Sequence, residues 1–337
     1  MREFYQGKTI LITGGAGSIG SALARKLLDY KPKIIRLLDI NETGLFNLKQ
    51  ELSADILRLL VGDIRDKDRL RRAVEKVDIV FHAAALKHVP LCESNPFEAV
   101  QTNVMGTKNL IEACIDEKIK KFITISTDKA VNPINVLGAS KLLAERLTVS
   151  ANLYKGKRQT IFSCVRFGNV LNSQGSVLPI FLNQVKKGGP VKVTDKNMSR
   201  FIMSIDKATE LVLKAAYLSR GGEIFILKMP ALRIKDLAEA VIEEASYRFG
   251  YKPKSIKTVY IGKRDGEKVY EELMNEDEAT MVKELADMFI LLPVDRLKRE
   301  PTTQARLYKS TDNGYMNVGQ IRKFLVQILD KSEYGDK

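Results

Sequence analysis

The sequence predicts an α/β fold: a doubly wound parallel sheet followed by a smaller second domain. Three observations predict it. Short β-branched runs alternate with amphipathic stretches through the first half of the 337-residue chain, the pattern of parallel strands joined by crossover helices on both faces. A glycine-rich turn separates the first such run from the first amphipathic stretch. After Phe167 the texture changes to Gly- and Asn-rich turns and shorter elements. The expected division is therefore residues 1–167 and residues 168–337, with some segments of the second part returning to the main sheet.

The elements follow in order. KTILIT (8–13), IIRLLD (34–39), ILRLLVGD (56–63), VDIVFHAA (77–84) and KFITIS (121–126) are rich in Ile, Leu and Val and read as strands. SIGSALARKLLDY (18–30) and PFEAVQTNVMGTKNLIEACIDE (96–117) space their apolar residues as helices do. A helix from Gly138 to about Tyr154 leads into the strand TIFSCVRFG (160–168). Beyond it, GNVLNSQGS (168–176) and GGP (188–190) break the chain. IKDLAEAVIEEASYRFG (234–250) reads as a helix, and a last one is expected near 317–331.

Composition removes several function classes. Apolar residues at 45% and charged residues at 28% are ordinary for a globular chain. No apolar run approaches the ~20 residues of a membrane span, and MREFYQGKTILITGG enters a strand without a signal-peptide pattern. A soluble, cytoplasmic chain without membrane contact is expected. Cys92, Cys114 and Cys164 are too scattered for a disulfide framework or a zinc site. His82 and His88 lack any GxSxG partner, so neither serine-hydrolase nor metal chemistry is expected. The net charge of +14 is spread among acidic residues, densest at RDKDRLRR (65–72) and KIKK (118–121). With no nucleic-acid motif beside it, this charge reads as a solvated surface whose field draws anionic small molecules, and no nucleic-acid partner is expected.

TGGAGSIG (13–20) carries the first chemistry. Gly14, Gly17 and Gly20 have the GxxGxxG spacing between a strand and a helix. Glycine permits the tight turn and lets the backbone approach a pyrophosphate seated on the helix N-terminus, where Ser18 and Ile19 lie. This is the context of a Rossmann-like dinucleotide site. Asp39 ends the second strand, 19 residues after Gly20, where a carboxylate binds a ribose hydroxyl. Ile40, Asn41 and Glu42 supply no cation for a 2′-phosphate, which favours NAD over NADP. Asp63 and Ile64, after the third strand, suit an adenine edge. The plain alternative for Asp39 and Asp63 is a turn or helix cap.

TGGAGSIG, HAAALKHVPLCESNP (82–96) and STDKAVNPINVLGASK (126–141) resemble the extended short-chain dehydrogenases/reductases. Within them they resemble the UDP-N-acetylglucosamine 4,6-dehydratases of the polysaccharide-biosynthesis, CapD-like family. FGNVLNSQGSV (167–177), SRFIMS (199–204), EIFILKMPALRIKDLA (223–238) and IGKRDGEKVYEELMNEDE (261–278) continue the resemblance over roughly residues 6–280. It implies a Rossmann-like NAD-binding domain, a C-terminal substrate-binding domain and a homo-oligomer. It also implies a UDP-sugar substrate and a reaction without net redox change: oxidation at carbon 4, loss of water across carbons 5 and 6, and hydride return to carbon 6.

The resemblance assigns residues as well. Asp128 becomes the acid for the leaving 6-hydroxyl and Lys129 the base at carbon 5, whose pKa must fall for that task. Lys141 holds the nicotinamide ribose, Ser126 and Thr127 hydrogen bond nearby, and Ala83 and Ser126 join the cofactor positions. On the substrate side stand Lys87, Asn169 toward the pyrophosphate, and Arg264 and Glu267 on the UDP, with Arg200 a further candidate for phosphate. His82 and His88 read as structural. One position departs from the superfamily: the Tyr expected four residues before Lys141 is Leu137. The alternatives are a UDP-sugar 4-epimerase, which does not need the Asp–Lys pair and normally keeps the Tyr, and a non-catalytic NAD-binding homologue.

Overall fold

A computed structural model describes residues 1–297, 300, 302–303, 305, 307–312 and 314–329. The chain forms two compact units. The first comprises Met1–Phe167, Asp206–Lys228 and Leu273–Arg306; the second comprises Gly168–Ile205, Met229–Glu272 and Leu307–Lys337.

The first unit is built on one nine-stranded sheet. Its strands are β1 (Thr9–Thr13), β2 (Ile34–Asp39), β3 (Leu57–Val61), β4 (Ile79–His82), β5 (Lys121–Thr127), β6 (Ile161–Phe167), β7 (Ile224–Leu227), β8 (Val282–Glu284) and β9 (Met288–Leu291). Their order across the sheet is β8-β9-β7-β6-β5-β4-β1-β2-β3. Every residue of β1, β4 and β7 is buried, as expected where helices cover both faces of a parallel sheet. The fold is Rossmann-like. One edge departs from the all-parallel expectation, because β9 runs antiparallel to both β7 and β8. Only three residues join β8 to β9, and a connection that short makes a hairpin; a parallel crossover needs a dozen or more.

Between the strands lie α1 (Ser18–Leu28), α2 (Glu42–Leu52), α3 (Lys67–Val74), α4 (Thr107–Asp116) and α5 (Val136–Tyr154). Asn41, Asp66 and Asn135 cap α2, α3 and α5 through side-chain oxygens, which satisfies N–H groups that a helix start leaves over. Residues 96–117, one amphipathic pattern in sequence, form a short helix Pro96–Ala99, a π-helical turn Val100–Gly106 and then α4. Leu110, Ile111 and Cys114 of α4 join Leu11, Val80, Phe122 and Phe162 of the sheet in one core. All three cysteines are buried and unpaired.

Order reverses at β1, with β2 on one side and β4 on the other. In such sheets the carboxyl ends of the strands around a reversal form the ligand crevice. Those ends carry the glycine turn after β1, Asp39, the Ala83–Lys87 loop after β4 and the Asp128–Ala130 turn after β5.

The second unit has its own core. Its strands include a three-stranded sheet of Asn169–Val170, Ser199–Met203 and Ala231–Arg233 and a parallel pair of Val191–Val193 with Thr258–Tyr260. Helices Val177–Lys186, Ile234–Ala245 and Val318–Leu329 pack Phe181, Leu182, Leu237, Val241 and Leu325 together. Among the described residues no helix is long and apolar enough to cross a membrane.

Candidate active site

Sterics dictate the glycine turn. Gly14 has φ +68°, and a Cβ there would lie 2.7 Å from Ala84 N and 2.8 Å from Ala83 C. A Cβ on Gly20 would meet Gly14 O at 2.1 Å. Gly15, outside the GxxGxxG spacing, is equally constrained: its Cβ would fall 2.9 Å from that of Leu37 on β2. Gly17 is the N-cap of α1, and no side chain caps the helix, so Ser18, Ile19 and Gly20 form its first turn behind a bare backbone. Asp39 ties this turn to β2, its Oδ2 accepting from Ala16 N–H at 3.0 Å and its Oδ1 from Asn41 N–H at 2.9 Å. A turn stripped of Cβ atoms at a positive helix end fits a dinucleotide pyrophosphate.

Asp63 and Ile64 have other engagements. Asp63 Oδ1 accepts from Arg65 N–H at 2.8 Å, and its Oδ2 pairs with the Arg65 guanidinium at 2.6 Å. The Arg65 hydrogen bond holds its pKa below the usual range. Ile64 is 4% exposed and packs where Gly106 has no side chain. At this position Ile64 is core, and the Asp63 carboxylate, partly exposed, keeps further lone pairs.

The turn after β5 concentrates charge. Asp128 is fully buried, and its Oδ1 accepts from Thr127 Oγ1 at 2.8 Å and from Lys129 Nζ at 2.9 Å. Its Oδ2 is buried with no hydrogen-bond partner, as is Ser126 Oγ. Native proteins leave few such atoms, and each calls for an explanation such as a ligand or catalytic role. Lys141 on α5 donates from Nζ to Ile125 O at 2.7 Å. Burial lowers its pKa against the opposing fields of Glu145 and Cys164.

Around this turn lie supports that carry no recognisable motif. A Cβ on Gly138 would sit 2.2 Å from Lys129 O, so only glycine lets the first turn of α5 rest on Lys129. Asn103 of the π-helical turn is 1% exposed. Its Oδ1 accepts from Leu86 N–H at 2.8 Å, and its Nδ2 donates to Leu86 O at 3.1 Å and Ser140 Oγ at 3.0 Å. One side chain thus fixes both the loop bearing Lys87 and the residue beside Lys141. Lys87 reaches the surface, yet surrounding protein desolvates its ammonium and lowers its pKa. His82 is a buried structural histidine between Thr13 Oγ1 and Thr107 Oγ1, each at 2.8 Å, and burial with the nearby Lys141 pushes its pKa to about 3. His88 is exposed at the start of a short helix, Val89–Ser94.

In the second unit, Arg264 and Glu267 form an exposed-to-half-buried turn closed by Glu267 N–H to Arg264 O at 3.2 Å. Asn169 Oδ1 is buried without a hydrogen-bond partner. Arg200 is held by its own unit. It is 8% exposed and donates to Ser199 O at 2.7 Å, Lys268 O at 2.9 Å and Val269 O at 3.3 Å, with Glu271 at 3.6 Å. These contacts fasten the 268–271 segment.

Residues 10–293 match the family of polysaccharide biosynthesis proteins. The chain belongs to that family. An uncharacterized membrane protein of Methanocaldococcus jannaschii is 62% identical over 328 residues, 97% of each chain. A UDP-N-acetylglucosamine 4,6-dehydratase (inverting) of Campylobacter jejuni is 40% identical over 87% of this chain and 85% of its own. A UDP-glucose 4-epimerase of Rickettsia canadensis is 39% identical over 86% of this chain and 83% of its own. The solved structure of Pen from Bacillus thuringiensis superposes with a TM-score of 0.91 at 43% identity, covering 96% of this chain and 98% of that one. This polysaccharide biosynthesis protein is therefore related to nucleotide-sugar dehydratases and epimerases alike.

Leu137 is the point at which this family member departs from the superfamily. It is 4% exposed and packs with Cys92 and Ala99, with Val89 and Val136 alongside. The position at which the superfamily carries a tyrosine is here part of an apolar cluster.

Proposed function

We propose that this family member is an NAD-dependent nucleotide-sugar 4,6-dehydratase acting on UDP-N-acetylglucosamine, giving a UDP-4-keto-6-deoxy-hexosamine for surface glycans. The observation that carries this reading is the pair of buried Asp128 and half-buried Lys129, with one carboxylate oxygen unpartnered. An epimerase exchanges hydride at one carbon and does not need an acid and a base for elimination.

The main chain of Gly14 to Gly20 and the Asp39 carboxylate would hold the dinucleotide, with Lys141 on the nicotinamide ribose. When bound, the nicotinamide supplies reversible hydride exchange with a sugar carbon. Asp128 Oδ2 is free to accept the 4-hydroxyl proton as carbon 4 is oxidised. The resulting carboxylic acid then protonates the departing 6-hydroxyl, so the proton leaves as part of the water. Lys129, as the neutral amine, takes the proton from carbon 5 and returns it there after carbon 6 is reduced. Protonation of Asp128 removes the negative charge that stabilises the Lys129 ammonium, which favours that neutral form. Thr127, donating to Asp128 Oδ1, fixes the carboxyl plane. On the substrate side, Lys87, Asn169, Arg264 and Glu267 are the groups assigned to the UDP-sugar.

The test is incubation of purified protein with UDP-N-acetylglucosamine in D₂O, followed by NMR and mass spectrometry. Loss of one water with deuterium at carbon 5 supports the dehydratase, and the ring couplings report retention or inversion. A galacto-configured product of unchanged mass supports the second reading, a UDP-sugar 4-epimerase, which the kinship to the Rickettsia enzyme favours. No turnover with NAD⁺ supplied points to a non-catalytic binder or another sugar nucleotide.

A further inference from the structure

A second cluster of buried charge lies along α5, and the reaction as proposed does not use it. Arg166 of β6 is 1% exposed, and all five of its N–H donors are taken. Nε and one Nη bond Glu145 of α5 at 3.0 and 2.7 Å. The two Nη atoms bond Glu278 at 2.8 and 3.0 Å, and the last donor reaches Leu273 O at 3.0 Å. Glu278 also closes a capping box with Asn275. Two carboxylates around one guanidinium leave a surplus negative charge in the interior, which is costly unless a further cation balances it. Lys141, 7% exposed, stands one helical turn before Glu145 on the same face of α5. Lys141 is the cation next to Glu145 on this face, while Arg146 adds to the positive field at Glu278.

We propose that Glu145, fixed by Arg166 and Glu278, is a positioning residue that supplies the counter-charge of Lys141 and keeps its ammonium charged and aimed at the end of β5. The proposal rests on the cofactor reading only in the role it gives Lys141. The other groups near Lys141 do not substitute for Glu145. His82 on β4 stays neutral above a pKa of about 3, and burial pushes the Cys164 thiol on β6 well up, so it too is neutral. Asp128 and Lys129, on the turn packed against α5, are paired with each other. Glu93 is engaged by Val136 N–H, Glu98 by Arg65, and Glu112 by Lys67 and Lys108, all at the surface.

The test follows the Lys141 titration by NMR of protein labelled at lysine Cε, the signal assigned through Lys141→Arg. Glu145→Gln keeps the hydrogen-bonding shape and removes the charge; the Lys141 midpoint is expected to move down by about one unit. Glu145→Asp is expected to recover most of that shift. Glu278→Gln, which leaves Arg166 less neutralised, moves the midpoint the same way by less, and it serves if Glu145→Gln fails to fold. The alkaline limit of NAD⁺ binding, read by calorimetry, is expected to move with the midpoint. An unmoved Lys141 midpoint in folded Glu145→Gln, or in folded Glu278→Gln where that variant stands in, overturns the proposal. Lys141→Met that binds NAD⁺ as tightly as the parent would instead overturn the cofactor role of Lys141, and the titration would still decide the counter-charge.

Discussion

The two charge clusters along α5 have the same ingredients and opposite bookkeeping. Around Arg166 every donor meets an acceptor, across three chain segments and with 6% or less of each charged side chain exposed. At Asp128 one carboxylate oxygen has no partner, and the lysine beside it keeps 23% of its side chain exposed. Complete pairing immobilises charge. Incomplete pairing at the carboxyl end of a strand keeps a lone pair in reserve for a ligand. A buried ion pair alone therefore does not single out the proposed reactive centre. Neither does an unmet oxygen alone, since Asp287 Oδ1 is also buried without a hydrogen bond; the proposal rests on an unmet oxygen placed at the carboxyl end of a strand.

Arg166→Met probes the completed cluster and should have the largest effect. It leaves Glu145 and Glu278 buried together without their cation, a loss of roughly 3–5 kcal/mol. Denaturant unfolding monitored by circular dichroism measures it directly. A variant as stable as the parent would break the comparison, because the cluster would then not be the structural member of the pair.

Asp128→Asn probes the incomplete cluster and should separate activity from stability. General acid–base groups contribute about 10²–10⁴-fold, so turnover of the UDP-sugar should fall by that order. Stability should change by about 1 kcal/mol or less, since Lys129 reaches solvent once its partner is neutral. Retained turnover would remove Asp128 from the chemistry, and a large drop in melting temperature would make it a second structural charge.

Acid provides a graded test of the surroundings. The pKa of His82 falls from 6.5 to about 3 in the folded chain, so between those values the unfolded state binds a proton that the native state refuses. Stability is therefore complete above the upper value and declines by about 1.4 kcal/mol for each pH unit below it. Glu278 adds to the decline at lower pH. Burial raises its pKa, but Arg166 outweighs burial and holds it below the ordinary range. His82→Gln should flatten the upper part of the profile and leave the lower part in place. An unchanged slope near pH 5–6 would show that His82 already protonates in the native state.

Local sequence announced some of this and was silent on the rest for physical reasons. β1, β4, β5 and β6 are legible because strands buried on both faces must be almost continuously apolar. The glycine turn is legible because the constraints on Gly17 and Gly20 come from Gly14 O, within the same eight residues. Gly15 escapes that pattern since its constraint is Leu37, on the neighbouring strand. Arg166 looks like an ordinary interruption of an apolar strand, because its partners Glu145 and Glu278 lie 21 and 112 residues away. The anchoring of Arg200 is hidden for the same reason, as Lys268 and Val269, whose carbonyls accept from it, lie 68 and 69 residues away. The hairpin of β8 and β9 is built of strands too short to show a period. Asn103 is hidden inside a helical pattern whose π turn, which brings it to Leu86, has no residue signature.

Leu137→Tyr should have the smallest effect and sharpens the comparison most finely. The native side chain is packed against Cys92 and Ala99, so a phenol must push into a filled apolar cluster at about 1–3 kcal/mol. If the unpartnered Asp128 oxygen suffices to take the 4-hydroxyl proton, the added hydroxyl has nothing to do, and turnover should stay level or fall slightly with stability. A rise in turnover, with its pH optimum moved toward the phenol's range, would mean that the reserve at Asp128 is only a partial replacement for the tyrosine. The incomplete cluster would then be a compromise forced by Leu137, and its open oxygen would not be the feature that defines the reactive centre.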